Sequence, residues 1–337
     1  MTVMAREISE QPEALARTLE ALLPLRPQIA TLAQGRRHLL FVARGSSDNA
    51  AIYGRYLCEV HAGRQAGLAA PSVATHYRAD LDLSDTVTVC VSQSGETAEI
   101  AETQAWATAH GARTVAITNV GDSSLARAAD LALVTQAGAE LAVPATKTYT
   151  TQLAAIAVLV DALGGPPLDF GRVADEAARL LEVDVAPAAA ALAVAGDTLV
   201  TGRGITYGTA LEVALKLEET CLRPVRGLSY ADLKHGPIAV VDADVAAVLV
   251  AAPDGPTVEG MTQLAATVHA RHATVLGIGG DAAFAAQCDV ALPGPALSEQ
   301  LAPLALAIPG QLMVEALARR LGLDPDSPRG LSKITQT

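Results

Sequence analysis

Aromatic side chains are scarce in this sequence. Of its 337 residues only three are Phe, six are Tyr and one is Trp, although half of the chain is hydrophobic. The core must therefore be built from Ala, Val, Leu and Ile, which suits buried parallel strands covered by alanine-rich helices. Only 18% of the residues are charged, and this composition excludes a disordered chain.

Long hydrophobic runs are also missing. No apolar run reaches the roughly 20 residues that a helix needs to cross a bilayer. The longest runs, at 153–160 and 245–252, are short enough to be core elements. The N-terminus carries charges where a signal peptide needs an apolar stretch. We therefore expect a cytoplasmic protein that does not act at a membrane.

Cysteine and histidine do not form a recognisable metal-binding pattern. The four cysteines are far apart, and no two make a CxxC pair: Cys58, Cys90, Cys221 and Cys288. They are expected to be small buried residues rather than disulfide partners or zinc ligands. The seven histidines show no HExxH or similar ligand spacing. We expect no metal site.

Positive charge is in deficit, with 24 Lys and Arg against 36 Asp and Glu, a formal net charge of −12. Such a chain repels nucleic acid and anionic membranes. It can still bind a phosphate where backbone N–H groups at a helix N-terminus favour an anion. No P-loop is present, and Gly202, Gly204 and Gly208 are spaced one residue too far for the dinucleotide fingerprint. We expect no nucleotide cofactor, with a nicotinamide or flavin role as a weak alternative.

An internal repeat organises the chain. Short apolar strands, tight turns and helices alternate, which predicts a parallel sheet with helices on both faces. Gly204 follows Gly45 by 159 residues, and Asp289 follows Asp130 by the same interval. The segment VAAVLVAAPDGPT falls under TVTVCVSQSGET at about this offset. We interpret the chain as two copies of one α/β domain.

The predicted boundaries follow from this repeat. We expect an N-terminal helical segment at 1–34, a first domain with the phosphate site at 35–165, and a second domain at 166–322. A C-terminal tail, 323–337, carries Lys333. Gly164–Arg172 is the expected linker, because it is rich in Gly and Pro.

Two hydroxyl-rich turns follow predicted strands of the first domain, where ligands of parallel sheets bind. They contain Ser46 and Ser47 in one turn, and Ser92, Gln93, Ser94 and Thr97 in the other. Small hydroxyl side chains let backbone N–H groups approach an anion and add donors of their own. The alternative is that they are ordinary helix N-caps. The matching turn of the second domain, Ala251–Gly255, has no hydroxyl and includes Asp254, so only the first copy should hold phosphate in this way.

Three features of the second half could carry chemistry. Glu212, Lys216 and Glu219 lie at i, i+4 and i+7 and so share one helix face. His235 stands in a Lys-His-Gly-Pro turn, and Lys333 lies in the tail. Each alone could be a solvated surface residue. Together they suit an aldose–ketose conversion, in which a carboxylate moves a proton between C1 and C2, a histidine opens the ring, and a lysine promotes opening or forms an imine.

The motifs VSQSGETAE, AELAVPATKTYTTQL, ALEVALKLEET, LKHGP and PRGLSK occur in this order. As an ordered set they strongly resemble the sugar-isomerase (SIS) domain pair of the glutamine–fructose-6-phosphate aminotransferase family. The resemblance implies two flavodoxin-like three-layer α/β domains and a homodimer. It places the phosphate of the sugar on Ser47, Ser92, Gln93, Ser94 and Thr97.

The resemblance also implies roles in catalysis. Glu219 matches the carboxylate that moves the proton, and His235 matches a ring-opening histidine supplied from the neighbouring subunit. Lys333 matches a lysine of ring opening and imine formation. Val143 would contact the sugar, and Glu212 and Lys216 would support the site. Ser46 and Ser332, beside Ser47 and Lys333, complete the candidate substrate-binding residues.

Departures from the family pattern leave the reaction open. The synthases carry a glutaminase domain that begins with a catalytic Cys, whereas this chain begins Met1-Thr2 and enters the SIS region at once. We therefore expect a deaminase that converts glucosamine 6-phosphate to fructose 6-phosphate and ammonia. Asp48 and Ala145 replace an aromatic residue and a serine, which leaves the identity of the sugar in doubt.

The open alternatives differ in substrate or in class. The same site could serve deglycation of fructosamine 6-phosphates, deamination of galactosamine 6-phosphate, or elimination from N-acetylglucosamine 6-phosphate. A sugar-phosphate sensor without catalysis and a synthase split over two chains are further alternatives.

Overall fold

The computed structural model describes residues 1–333, which divide into two compact units. We call Glu13–Glu140 with Lys147–Phe170 the N-terminal unit. The C-terminal unit combines Met1–Pro12, Leu141–Thr146 and Gly171–Lys333. The domain boundaries expected from the sequence stay a prediction, and the last four residues of the expected tail, 334–337, lie outside the described residues.

The regular elements alternate as the sequence pattern predicts. The strands are β1 His38–Val42, β2 Ala66–Leu68, β3 Thr86–Val91, β4 Arg113–Thr118, β5 Leu131–Val134, β6 Asp197–Gly202, β7 Val225–Ser229, β8 Val245–Ala251, β9 Thr274–Gly279 and β10 Val290–Leu292. The helices are α1 Val3–Ser9, α2 Gln11–Leu22, α3 Arg26–Leu32, α4 Ser46–Val60, α5 Ser72–Thr75, α6 Ala98–Ala109, α7 Ser124–Ala128, α8 Lys147–Leu163, α9 Val173–Leu180, α10 Ala186–Val194, α11 Tyr207–Cys221, α12 Tyr230–Lys234, α13 Val258–His269, α14 Ala282–Ala285 and α15 Pro303–Arg320. Single 3₁₀ turns occupy Leu23–Leu25, Phe170–Arg172, Gly204–Thr206 and Pro237–Val240.

Each unit contains one five-stranded parallel sheet. The strand orders are β2-β1-β3-β4-β5 in the N-terminal unit and β7-β6-β8-β9-β10 in the C-terminal unit. The second order repeats the first, and β6 and β8 begin 159 residues after β1 and β3. The predicted duplication and the α/β class with two parallel sheets are confirmed.

The N-terminal sheet is covered on both faces, because successive side chains of a strand point to opposite sides. On one face Val42, Cys90 and Ala116 pack with Ile100 of α6 and Leu125 of α7. On the other face, the ring of Phe41 approaches Gly54 of α4 so closely that a Cβ there would stand 2.7 Å from it. Helices α4 and α8 pack against each other on that side. The result is a three-layer unit.

The C-terminal unit repeats this arrangement with different side chains. Leu249 and Val275 pack with Met261 and Leu264 of α13. Helix α15 packs against α11, and a Cβ at Gly310 of α15 would meet Val213 at 2.7 Å. Small residues at such positions allow close helix packing where aromatic side chains are few.

One acid of the repeat has a structural role in both copies. The carboxylate of Asp130 accepts a hydrogen bond from the backbone N–H of Thr114 at 2.7 Å. The carboxylate of Asp289 accepts the equivalent bond from Val275 at 2.8 Å. Each acid precedes the edge strand of its sheet and is bonded to the neighbouring strand. This shared contact explains why the two residues align in the sequence.

Two expectations from composition concern the cysteines and the possibility of a membrane-spanning helix. Cys58, Cys90 and Cys221 are buried free thiols, and Cys288 is partly buried. Burial raises the pKa of Cys221 to about 12 and that of Cys288 to about 11. Among the described helices, none is long and apolar enough to cross a membrane.

Candidate active site

The turn after β3 is folded around Ser92. Its side chain is buried, and its Oγ accepts a hydrogen bond from the backbone N–H of Gly95 at 3.2 Å. The same Oγ lies 3.3 Å from Oγ1 of Thr97. The backbone of Ser92 donates to the carbonyl of Ile117 on β4. The sequence prediction that Ser92 and Thr97 belong to one cluster therefore agrees with the local geometry.

Gly95 permits the sharp bend of this turn. Its φ is +65°, and a Cβ would stand 2.1 Å from Oγ of Ser123, so no other residue fits without displacing a neighbour. The carbonyl of Gln93 accepts from the hydroxyl of Thr118, and Oγ of Ser94 accepts from the N–H of Glu96 at 3.2 Å. These bonds hold Gln93 and Ser94 partly buried at the carboxyl edge of the sheet.

The alternative that these hydroxyls are ordinary N-caps finds no support in the hydrogen bonds. Thr97 is the N-cap of α6, but its side chain makes no capping bond. Gly45 is the N-cap of α4, with φ 58°, and it has no side chain to cap the helix. By contrast, Ser123 caps α7 by accepting from the N–H of Ala126. The two helices that follow the serine turns thus begin without side-chain caps.

Ser46 and Ser47 open α4 as its first two residues. Ser47 is buried and Ser46 is partly exposed. Strands β1 and β3 are paired neighbours, and the turns that hold Ser47 and Ser92 leave their carboxyl ends side by side. Two helix N-termini with hydroxyl side chains therefore start from adjacent strands, an arrangement suited to an anion.

The ion pair of Arg44 with Glu99, beside these turns, was not identified from the sequence. Nε of Arg44 lies 2.9 Å from Oε2 of Glu99, which stands in the first turn of α6. Burial raises the pKa of the Asp48 carboxyl in the first turn of α4, and Arg44 opposes that rise. Hydrogen bonds from the backbone and hydroxyl of Ser124 lower the pKa of Glu96. A signal for this pair was nevertheless present in the sequence, because Arg44 and Glu99 lie close to the two serine motifs.

In the C-terminal unit, α11 carries a buried charge cluster. Nζ of Lys216 lies 3.5 Å from Oε1 of Glu212 and also forms an ion pair with Oε2 of Glu219. The side chains of Lys216 and Glu212 are each 1% exposed, whereas that of Glu219 is 24% exposed. The shared helix face was predicted, but its burial was not. Because a buried ammonium is costly without counter-ions, the two carboxylates stabilise Lys216, and Glu219 is the member that meets solvent.

His235 lies at the C-terminal end of the short helix α12. Its backbone N–H donates to the carbonyls of Ala231 and Asp232, and Gly236 follows with φ 128°. The side chain of His235 is exposed. Within residues 1–333 its imidazole makes no hydrogen bond or ion pair, so the fold does not join it to Glu219 or Lys333. A contribution of His235 to another subunit stays a prediction.

The C-terminal tail is tied to the segment that contains Val143. Nζ of Lys333 donates a hydrogen bond to the carbonyl of Ala142 at 2.7 Å. The backbone N–H of Val143 donates to the carbonyl of Asp326 at 2.9 Å. Val143 is partly buried and Ser332 is exposed. Two residues that sequence motifs placed in one site, Lys333 and Val143, are thus held close together by the fold.

Two cavities lie away from these residues. One of about 800 Å³ in the N-terminal unit is lined by Arg113 and Leu131, the first residues of β4 and β5. Another of about 350 Å³ in the C-terminal unit is lined by Asp197 and Val245, the first residues of β6 and β8. Both therefore open at the amino ends of strands, whereas the serine turns follow carboxyl ends. Neither is lined by a candidate site residue.

Comparison with known proteins gives a consistent picture. The profile of the SIS domain family matches residues 32–162 and 191–318. The glutamine–fructose-6-phosphate aminotransferase [isomerizing] of Pyrococcus horikoshii is 33% identical over 340 residues, which cover 98% of this chain and 57% of that protein. The chain thus spans just over half the length of the curated relatives that it matches.

Solved structures show the same architecture. The C-terminal domain of glucosamine-fructose-6-phosphate aminotransferase from Francisella tularensis has a TM-score of 0.88 and 29% identity, covering 97% of this chain and 98% of that one. A glucosamine-6-phosphate deaminase from Thermotoga maritima has a TM-score of 0.79 and 23% identity, covering 100% of both chains. At that identity the second likeness shows the fold alone.

Proposed function

The chain belongs to the SIS-domain family of sugar isomerases, and from this premise we propose that it deaminates an amino-sugar phosphate. The proposed reaction converts glucosamine 6-phosphate and water to fructose 6-phosphate and ammonia. The observation that carries the proposal is the buried cluster on α11, in which Lys216 holds the partly exposed carboxylate of Glu219. A binding module has no need of an acid held in this way.

The phosphate would bind at the two serine turns of the N-terminal unit. Ser47, Ser92, Ser94 and Thr97 offer hydroxyl donors beside helix N-termini that lack side-chain caps. Ser46 and Gln93 flank them and offer further donors. Hydrogen bonds to a phosphate dianion are charge-assisted and correspondingly strong. The site can therefore hold an anion on a protein whose net charge is −12.

Proton transfer would fall to Glu219. After ring opening, its carboxylate takes the proton from C2 of the sugar and returns it to C1, which turns the 2-amino aldose into a 2-imine. Water then adds to the imine carbon, and ammonia leaves. The ion pair with Lys216 orients the carboxylate for the first step. Glu212 supports it by sharing the charge of Lys216.

Ring opening needs a second acid–base group. His235 is an imidazole without a partner in the described chain, so it is available to a sugar, either in its own chain or in a partner of a homodimer. Lys333 is the other candidate, and its amine is held by the carbonyl of Ala142. To form an imine with the substrate, Lys333 would have to give up this hydrogen bond. Val143 and Ser332, next to these contacts, would line the sugar.

The identity of the sugar is the least constrained part of the proposal. Asp48, in the first turn of α4, and Ala145, before Thr146, depart from the family pattern. Asp48 places a half-buried carboxyl in the helix turn that would hold the phosphate. Fructosamine 6-phosphates and galactosamine 6-phosphate are therefore the next substrates to assay.

The test is ammonia release from the purified protein supplied with glucosamine 6-phosphate, with fructose 6-phosphate measured in parallel. Equal amounts of both products are expected. Replacement of Glu219 with Gln should abolish both while substrate still binds, whereas Glu218→Gln on the same helix serves as the matched control. Undiminished turnover by the Glu219 variant would refute its role. No product from any C2-substituted sugar phosphate, despite tight binding, would identify a sensor instead.

A further inference from the structure

Arg44 joins the two serine turns of the N-terminal unit. It directly precedes Gly45, Ser46 and Ser47, and its guanidinium pairs with Glu99 at 2.9 Å. Glu99 stands two residues after Thr97, in the first turn of α6. The ion pair therefore connects the beginning of α4 with the beginning of α6.

The burial of this pair distinguishes it from other ion pairs of the same helix. The side chain of Glu99 is 11% exposed and that of Arg44 is 44% exposed. One turn later on α6, Glu102 pairs with Arg78, and these side chains are 44% and 65% exposed. Solvent therefore screens the carboxylate of Glu99 less completely than that of Glu102.

The surroundings of Arg44 are acidic. Asp48 lies in the first turn of α4 and Glu99 in the first turn of α6, so each of the two helix N-termini already carries a carboxylate. Carboxylates in these positions stabilise the helices but repel an anion that approaches the same N–H groups. Arg44 is the cation that faces both of them, because Asp48 also experiences its charge.

The repeat supplies an internal comparison. Arg203 occupies the position of Arg44 in the second copy, after β6. Its guanidinium lies over the ring of Tyr230, 5.4 Å from the centroid, rather than against a carboxylate. The turn after β8 has Ala252 and Asp254 in place of Ser92 and Ser94. The ion pair of Arg44 therefore accompanies the hydroxyl-rich turns and not the repeat in general.

We propose that Arg44 is a further phosphate-binding residue and that Glu99 is the counter-ion it exchanges for the phosphate of the sugar. This inference rests on the proposed phosphate site between the serine turns. The planar guanidinium can bind two phosphate oxygens at once, as it can bind a carboxylate. Glu99 holds the guanidinium of Arg44 between the two turns. Because it competes with phosphate for that guanidinium, it lowers the affinity for phosphate.

The test is isothermal titration of the full chain with inorganic phosphate and with glucosamine 6-phosphate. Arg44→Gln should raise both Kd values about tenfold, since a charge-assisted hydrogen bond is lost. Glu99→Gln should lower them about twofold to threefold, since a competing partially exposed ion pair is removed. Arg44→Lys, which keeps the charge and loses the fork, should lie between Arg44→Gln and the unmodified protein. Glu102→Gln should change neither Kd.

The direction in which Glu99→Gln changes the Kd decides whether Arg44 binds phosphate or only positions the two turns. If Glu99→Gln weakens binding as much as Arg44→Gln does, the pair only fixes the turns, and the proposal is wrong. Equal affinities of Arg44→Gln and the unmodified protein would also overturn it, with the phosphate site left intact. Failure of the unmodified protein to bind any sugar phosphate would instead remove the proposed function, and this inference with it. Thermal melting of each variant verifies that it is folded.

Discussion

The two sheets end in turns that share a backbone plan and differ in chemistry. After β3 the chain reads Ser92, Gln93, Ser94 and Gly95, whereas after β8 it reads Ala252, Pro253, Asp254 and Gly255. In the first turn a buried serine accepts from Gly95. In the second, Asp254 accepts from the backbone N–H of Glu299 at 2.8 Å.

The difference indicates how two copies of one fold can take different roles, one in binding and the other in catalysis. The turn of the N-terminal unit carries serine hydroxyls that bond to backbone N–H groups of the same turn, whereas Asp254 of the C-terminal unit bonds to a residue 45 positions away. Burial raises the pKa of Glu299, and the neighbouring Asp254 raises it further. We therefore expect an anion to bind at the first turn and not at the second. The candidate catalytic groups of the C-terminal unit lie on α11 and α12 and in the tail instead.

The largest expected effect is the loss of kcat on replacement of Glu219, which would assign chemistry to the C-terminal unit and binding to the N-terminal unit. Glu219→Gln should lower kcat by about a thousandfold with little change in Kd, the range found when a general base is lost. Ser92→Ala in the N-terminal unit should chiefly raise KM. Steady-state kinetics, with equilibrium binding of glucosamine 6-phosphate, measure the two effects. A large loss of kcat from Ser92→Ala, with KM unchanged, would contradict the assignment of binding to the N-terminal unit and of chemistry to the C-terminal unit.

The glycines of the two turns offer a comparison of packing. A Cβ at Gly95 would stand 2.1 Å from Oγ and 2.5 Å from Cβ of Ser123, a short side chain that cannot move aside. A Cβ at Gly255 would meet the carboxylate of Glu299 at 2.4 Å, which is the flexible end of a long side chain.

We expect Gly95→Ala to cost about 3 kcal/mol of unfolding free energy and Gly255→Ala about 1 kcal/mol, since both also strain a positive φ. Urea unfolding followed by circular dichroism measures both. Equal costs would mean that the backbone strain, and not the neighbour, sets the penalty.

Exchange of the charge between the turns tests their electrostatics. Ser94→Asp should weaken phosphate binding about thirtyfold, because it places a carboxylate within a few ångströms of the anion. An Asp at this position can still accept the hydrogen bond from Glu96, so folding should be preserved. Asp254→Ser in the C-terminal unit should leave the affinity for inorganic phosphate unchanged. Titration at two ionic strengths provides the readout, and the effect of Ser94→Asp should shrink at high salt.

The smallest effect concerns the acid that both copies share. The carboxylate of Asp130 accepts from the backbone and hydroxyl of Thr114 and from Arg113 at 3.0 Å. Asp289 accepts from the backbone of Val275 and lies 3.7 Å from His269. Asp130→Ala should therefore cost about 1–2 kcal/mol and Asp289→Ala about 1 kcal/mol, as measured by thermal unfolding.

The pH dependence of the Asp130 contribution has a definite sign. Burial raises the pKa of Asp130, but the hydrogen bonds from Thr114 and Arg113 outweigh it and leave the pKa below its usual 3.8. Its stabilisation is therefore present above pH 3.8 and is lost as the pH falls through the lowered value. The stability difference between the unmodified protein and Asp130→Ala should shrink over that acid range. A difference that grows with acidity would contradict the assignment.

Local patterns in the sequence were sufficient for most of the fold. The order of apolar strands, tight turns and helices predicted two parallel α/β copies, because strand and helix periodicity depends on residues close in sequence. The common face of Glu212, Lys216 and Glu219 followed from the helix repeat in the same way. The serine turns were located because ligands of parallel sheets bind at the carboxyl ends of strands. The roles assigned to these residues in substrate binding and catalysis stay predictions.

Other features depended on residues far apart in the chain. Lys216 is buried on a helix that packs against α15, and no local pattern reports this burial. The ion pair of Arg44 with Glu99 requires the parallel pairing of β1 and β3 in their actual register. The helical segment expected at 1–34 is interrupted at Leu23–Leu25, where Pro24 removes a backbone donor and favours a 3₁₀ turn.

The sequence by itself therefore determined the class of fold, its duplication and the residue types available at each turn, since these arise from short-range periodicity and backbone preference. Only the tertiary structure decided which charges meet, as when Lys333 reaches the carbonyl of Ala142 across 191 residues of chain. The physical reason is that the free energy of a charge depends on its burial and its partners. Both are set by packing between distant segments.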